Sequence, residues 1–186
     1  MKKCSNRLFN IIRTDSSRVS GKTRFPSLTA TGLSIVLLLM PATASALGLN
    51  CNVSATGVAF GNYNATSSSP TNATGNVQVT CTVFLVSVLS SINTSLNMGG
   101  SGSYSPRKMS SGANWLNYNL YKEASHTTVW GDGTGGTGIF TDTLLIAVLG
   151  TTLNHTIYGS IPAGQYVAAG VYTDTITVMV EFHEGL

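Results

Sequence analysis

The chain is predicted to be all-β, a sandwich or barrel of short strands, and three observations carry that reading. From Thr175 to Phe182 the residues alternate, with Ile176, Val178, Val180 and Phe182 on one side and Thr175, Thr177, Met179 and Glu181 on the other. Period-two alternation rich in β-branched residues belongs to a strand with one face towards a core and one towards solvent. Several further runs of the same kind follow one another, separated by Gly-, Ser- and Asn-rich turns, as expected of a sandwich or barrel. No window of 11 residues beyond the leader carries a 3.6-residue period. The final strand needs a neighbour, supplied either by this chain or by another molecule.

Taken in order, the chain opens on a leader. Lys2, Lys3, Arg7, Arg13, Arg18, Lys22 and Arg24 precede an apolar run from Leu33 to Met40, then Pro41 and the small residues Ala44-Ser45-Ala46. Basic region, apolar region and A-x-A site in that order describe a secretory signal peptide. The apolar run falls short of the about 20 residues that span a bilayer, so no stable transmembrane segment is expected. Cleavage is expected after Ala46, giving a leader over 1–46 and one domain over 47–186.

Removal of the leader reverses the charge. The whole chain carries +3, yet residues 47–186 keep Arg107, Lys108 and Lys122 against Glu123, Asp132, Asp142, Asp174, Glu181 and Glu184, which is −3. Three basic residues give no electrostatic footprint for nucleic acid. The surface must be built from Ser, Thr, Asn and Gly. Cys4 leaves with the leader, and the even pair Cys51 and Cys81 in an exported chain reads as a disulfide. Closing a loop of about 30 residues contributes roughly 3–4 kcal/mol through the unfolded state.

The strands expected after the leader are these. Cys51–Phe60 comes first and Asn62–Thr74 is a polar loop. Gly75–Val83 turns Val77, Val79, Cys81 and Val83 to one face. Ile92–Met98, Trp115–Tyr121, the short Thr127–Trp130, Ile139–Leu149 and Thr152–Ile161 follow, with a turn at Pro162-Ala163-Gly164 before the last strand.

Catalytic and metal chemistry finds no support in the pattern. His126, His155 and His183 lack metal-ligand spacing. There is no G-x-S-x-G elbow and no evident carboxylate pair. The loop Gly131–Gly138 lacks the Lys of a phosphate loop and opens no helix. Asp132 alone offers too few oxygens for calcium. Five Asn-x-Ser/Thr sequons, at Asn52, Asn64, Asn72, Asn93 and Asn154, belong to an Asn- and Thr-rich composition and mean nothing in a bacterial host. No enzyme and no cofactor is expected.

Seven segments together carry a resemblance. They are CNVSATGVAFGNY (Cys51–Tyr63), GNVQVTC (Gly75–Cys81), YSPRKM (Tyr104–Met109), LNYNLY (Leu116–Tyr121), WGDG (Trp130–Gly133), YGSIPAGQ (Tyr158–Gln165) and GVYTDTITV (Gly170–Val178). In that order, over nearly all of Leu47 to Phe182, the chain resembles the spore coat protein U domain family, which includes subunits of archaic, Csu-type chaperone–usher pili. The resemblance implies an incomplete immunoglobulin-like sandwich completed by a donor strand from a partner, and again a Cys51–Cys81 bridge. It implies as partners a periplasmic chaperone, an outer-membrane usher and other pilus subunits, and export through the periplasm to the cell surface. On this reading Ile176, Val178, Val180 and Phe182 line one wall of the donor-strand groove.

Two departures matter. Only Leu47-Gly48-Leu49-Asn50 precede Cys51, too short for a donor strand, which suggests a tip or capping subunit. Residues 83–89 (VFLVSVL) are rich in large apolar side chains, making Phe84 and Leu85 candidate surface-binding residues, with a buried strand as the plainer reading. The alternative function is a secreted spore or cell coat protein, or a carbohydrate-binding sandwich using aromatics such as Tyr63, Tyr104, Trp115 or Trp130, that works without a fibre.

Overall fold

The computed structural model of the 186-residue chain describes residues 4–6, 9–10, 49–83, 89–145 and 150–184. Two short N-terminal strands come first, β1 (Cys4–Asn6) and β2 (Phe9–Asn10). The domain then runs β3 (Leu49–Thr56), β4 (Gly61–Tyr63), β5 (Thr71–Val83) and β6 (Leu89–Leu96). A 3-10 turn at Gly99–Ser101 leads to β7 (Arg107–Ser111) and β8 (Asn114–Tyr121). β9 (Phe140–Leu145) and β10 (Thr151–Ile161) precede a terminal strand in three pieces, β11 (Val171–Tyr172), β12 (Thr175–Ile176) and β13 (Val178–Glu184).

Two principal sheets face each other. One has the order β3-β5-β10-β8-β7 and the other β13-β6-β9. The inward residues of β5, Val77 and Val79, meet those of β8 and β10, Leu116, Tyr118, Leu120, Ile157 and Ile161, all buried. From the second sheet Ile92, Leu96 and Val178 close the core, with Trp130 fully buried between. Outward positions on β3, β5 and β10, such as Asn52, Gln78, Thr80, Thr152 and Asn154, are uncharged. Gln78 donates to Asn154 Oδ1 at 3.1 Å across the ladder, and the Thr80 and Thr152 hydroxyls lie 3.3 Å apart. The antiparallel register sets Cys51 directly opposite Cys81, and the two form a disulfide with Cα atoms 4.0 Å apart.

The expected strand boundaries shift where long-range pairing overrides local composition. β5 begins at Thr71, inside the expected polar loop, because Thr71–Thr74 pair with Tyr158–Ile161 of β10. The expected first strand stops at Thr56 and resumes as β4, because Val58 and Phe60 turn into the core below Gly159. The expected strand at Thr127–Trp130 is two isolated bridges, Tyr121 to Val129 and Trp130 to Gly138. β7 was not legible, since its inward positions are an arginine and Met109. The expected strand Ile139–Leu149 is β9 as far as Leu145, and 146–149 lie outside the described residues.

Gly159 shows how tightly the layers close. A Cβ there would lie 2.7 Å from both Phe60 Cζ and Val58 Cγ1. Gly159→Ala forces both core side chains aside and is expected to cost about 1–3 kcal/mol, measured as a lowered chemical-denaturation midpoint with an unchanged slope.

Candidate strand-acceptor site

The terminal strand carries the site, and its geometry follows from a change of sheet. Thr173 N–H donates to Ser110 O at 3.0 Å and Ser110 N–H donates to Thr173 O at 2.8 Å, which ties this end to β7. From Val178 on, the strand pairs with β6 instead, Val178 opposite Leu96. Between the two lies Asp174, buried and outside any strand.

Asp174 holds the crossing. Its Oδ1 accepts from Gly100 N–H and from Thr175 N–H, each at 2.8 Å, and its Oδ2 accepts from the Tyr118 hydroxyl at 2.6 Å. Gly99 is required beside it, at φ +71° and with room for no Cβ, which would sit 2.2 Å from Asp174 Oδ2. Asn97 holds the next residue, its Oδ1 accepting from Thr177 N–H at 2.9 Å while its own N–H donates to Thr177 O at 3.1 Å. The N–H groups of Thr173, Thr175 and Thr177 are thus all engaged by the domain itself.

Arg107 anchors the same corner from β7. It is fully buried, and its Nε and Nη2 donate to Asn97 O at 3.1 and 2.9 Å. Nη1 donates to Asn119 Oδ1 at 2.9 Å and Nη2 also to Trp130 O at 2.7 Å. The guanidinium lies 4.9 Å from the Tyr104 ring centroid. Burial pulls Arg107 below its ordinary value, opposed by Tyr118, Tyr104 and Asp174. Burial, reinforced by the Asp174 charge and hydrogen bond, pushes the Tyr118 hydroxyl up, so it stays a donor.

On the other side of this strand lie the two N-terminal strands. β1 runs parallel to β11, Ser5 opposite Val171 and Asn6 opposite Tyr172. It runs antiparallel to β4 on its other edge, with Cys4, Ser5 and Asn6 opposite Tyr63, Asn62 and Gly61. β2 runs parallel to β12, Phe9 opposite Thr175 and Asn10 opposite Ile176. Residues 4–6 therefore occupy a slot one strand wide between β4 and β11. Tyr63 fixes the β4 side, its hydroxyl donating to Pro162 O at 2.9 Å and accepting from Gln165 N–H at 2.8 Å.

The residues singled out from the sequence distribute as follows. Ile176 and Val178 are buried at 3% exposure each, and Val180 packs against the core in part. The Phe182 backbone pairs with Ile92, and its side chain lies outside the described residues. Phe84 and Leu85 also lie outside them. Of the aromatics, Tyr63 and Trp130 are buried, while Trp115 is 48% exposed. Tyr166, 84% exposed, was not anticipated. Asp174 and Arg107 were missed as well, although Arg107 is a charge at an inward position of β7 and Asp174 is one on the buried face shared by Tyr172 and Ile176.

A second cluster joins the sheets at their far side. His155 of β10 is buried, stacks on Phe140 at 4.2 Å, and places Nε2 3.0 Å from Asp142 Oδ2 on β9. Lys122 Nζ lies 4.6 Å from the centroid of the same Phe140 ring and donates to Ile139 O at 2.6 Å. Among the described residues no group of three or more His, Cys, Asp or Glu is placed to hold a metal, and no helix is long and apolar enough to cross a membrane.

With this geometry in place, comparison with known proteins is direct. The model of the Spore Coat Protein U domain matches residues 37–179. The chain belongs to the Spore Coat Protein U domain family. Protein U of Myxococcus xanthus is 32% identical over 112 residues, which is 59% of each chain, so this chain spans well under two thirds of that relative. Among solved structures, the chain is similar to one in the chaperone–tip adhesion subunit pre-assembly complex CsuC–CsuE, from the archaic chaperone–usher Csu pili of Acinetobacter baumannii. That match has 24% identity and a TM-score of 0.45, covering 72% of this chain and 40% of that one.

The spore coat U domain also acquires a pH dependence from its second cluster. Desolvation lowers the His155 pKa, with Lys122 acting the same way and Asp142 opposing it. The folded state thus favours neutral His155, while the unfolded chain binds a proton below about pH 6.5. Stability should fall as pH drops from about 6.5 towards the depressed folded value, and His155→Gln should flatten that slope, as read from urea-denaturation midpoints between pH 7.5 and 5.

Proposed function

We propose that this chain is a non-enzymatic subunit of a chaperone–usher surface fibre whose sandwich is finished by a strand from another polypeptide. The single observation that supports this is the slot between β4 and β11, which residues 4–6 occupy. On this reading the leader is removed after Ala46, and the slot opens by one strand's width, about 10 Å between the flanking strands. Two unpaired edges beside apolar side chains then form a site for strand addition. A periplasmic chaperone fills it first and a neighbouring subunit replaces the chaperone at an outer-membrane usher, with Ile176, Val178, Val180 and Phe182 along one wall.

A place at the tip or cap of the fibre follows from the same cleavage. β3 already starts at Leu49, so Leu47 and Gly48 alone would precede it. That is too short to donate a strand of five or so residues. Adhesion and biofilm formation are then carried by the exposed end of the subunit, with Phe84 and Leu85 as the surface-binding candidates. A coat protein or carbohydrate-binding sandwich acting without a fibre is the second reading, favoured by the exposed rings of Trp115 and Tyr166.

Expression of the chain from Leu47, with and without a fibre-type chaperone, tests the main reading. The expected result is an aggregating species alone and a soluble 1:1 complex with the chaperone. A stable soluble monomer without a partner overturns it and favours the second reading. Mass spectrometry of the exported protein should find Leu47 as its first residue, and an N-terminus ten or more residues upstream would remove the argument for the tip. Phe84→Ser with Leu85→Ser should abolish adhesion while leaving the denaturation midpoint in place; loss of folding would assign both to the core.

A further inference from the structure

One segment of the chain is fastened to both walls of the slot. β10 ends at Ile161 and β11 begins at Val171, and the residues between them pass from one wall to the other. On the β4 wall the Tyr63 hydroxyl donates to Pro162 O at 2.9 Å and accepts from Gln165 N–H at 2.8 Å. On the β11 wall the Tyr172 hydroxyl donates to Ala168 O at 2.8 Å. Both tyrosines are buried, and both stand beside the inserted strand, Tyr63 opposite Cys4 and Tyr172 opposite Asn6.

Gln165 fastens the middle of this segment to the larger sheet. β10 pairs with β8 as far as Ser160 opposite Asn119, so Asn117 lies beyond that ladder. The Gln165 side chain takes the neighbour's place. Asn117 N–H donates to Gln165 Oε1 at 2.9 Å, and Gln165 Nε2 donates to Asn117 O at 2.9 Å. A side-chain amide carries an acceptor and two donors, as a strand's main chain does. Its second N–H reaches Pro162 O at 3.1 Å. Val167 packs in part against the core, while Tyr166 points out at 84% exposure. In the ladder β1 stands between β4 and β11. The segment 162–168 is a second link between the same two walls, independent of that strand.

We propose that residues 162–168 form a strap that sets the spacing of the slot walls, with Gln165 as its positioning residue, so that strand insertion and strap order reinforce each other. This deepens the strand-acceptor reading and rests on it. The occupant is an extended polypeptide backbone, and the strap favours it by holding the walls about 10 Å apart rather than the about 5 Å at which two strands pair directly. A strand in the slot keeps Tyr63 and Tyr172 where their hydroxyls meet the strap. A fastened strap keeps the same two residues where the strand needs their main chain. Coupling of this kind acts in both directions. The surface around Tyr166 then belongs to the completed sandwich.

Amide exchange in the full chain, which carries its own strand in the slot, tests the coupling from both ends. Ser5→Pro removes a ladder bond from the inserted strand whichever wall its N–H faces. It should speed exchange at Gln165 N–H and Asn117 N–H about fivefold or more, and leave the β5–β10 ladder around Val79 and Leu153 unchanged. Gln165→Ala removes the three side-chain bonds and keeps the main-chain N–H on Tyr63. It should speed exchange at residues 5, 6, 171 and 172 about fivefold or more, with the same β5–β10 ladder unchanged. A segment that served only as a connection would respond to Gln165→Ala at Asn117 and within 162–168 alone. That result, or strap amides indifferent to Ser5→Pro while the β1–β11 ladder loosens, overturns the strap and leaves strand acceptance standing. If Ser5→Pro disturbs neither the strap nor the β1–β11 ladder, both readings fall. Should Gln165→Ala fail to fold, Tyr63→Phe takes its place. It keeps the buried ring, releases Pro162 O and Gln165 N–H, and is expected to speed exchange at 171 and 172 on the opposite wall; unchanged exchange there overturns the proposal.

Discussion

A buried carboxylate at the point where one strand changes sheets is the constraint on which the rest of this structure depends. Among the described residues Asp174 has no cation in hydrogen-bond contact; its oxygens accept instead from two backbone N–H groups and a tyrosine hydroxyl. Such a group is stable in the interior only when its lone pairs are filled. Filling them fixes three elements at once: the 3-10 turn at Gly99–Ser101, β8 through Tyr118, and the terminal strand itself. Arg107 completes the corner by taking up the carbonyls of Asn97 and Trp130. Removing either charge leaves several polar groups buried without partners, so the corner is held as a unit.

This corner explains which parts of the fold could be read from the chain. The alternation from Thr175 onwards is a true strand, with Ile176 and Val178 buried and Met179 40% exposed. What alternation could not disclose was the break. Tyr172, Asp174 and Ile176 share one face, and an aspartate on the apolar face is the one sign that the ladder stops there. Arg107 gives the matching sign on β7, where Arg107 and Met109 point inward together. Two opposite charges at inward positions, 67 residues apart in sequence (174 − 107), are legible only when the strands carrying them are known to be neighbours. The β10 boundaries, by contrast, were accessible within a residue, because Leu153, His155, Ile157 and Ile161 mark a long uninterrupted inward face.

Residues 4–6 and 9–10 fall in the stretch expected to be an export leader, and neither was legible as a strand. Residues 4–10 read CSNRLFN, with no alternation and no β-branched residue. A sheet edge recruits backbone, and ladder bonds are indifferent to side chains, so a slot bounded by two edges can take a segment that no propensity scale would call a strand.

On the strand-acceptor reading proposed above, recognition at such a slot comes from sources other than charge. Of the three Lys and Arg residues after residue 46, Arg107 is consumed in the interior, leaving Lys108 and Lys122 as the cations outside the buried corner. The outward faces of β3, β5 and β10 are Asn, Gln, Ser and Thr, with Tyr158 beside them on β10. A surface this poor in charge neither steers a partner over distance nor repels a wrong one, so association falls to the slower range set by orientation alone. Selectivity then rests on contact: on which N–H and C=O groups the edge leaves unfilled, and on the apolar side chains beside them. The domain satisfies Thr173, Thr175 and Thr177 internally, and by doing so it decides which alternate positions of the strand remain to be read by whatever lies next to it.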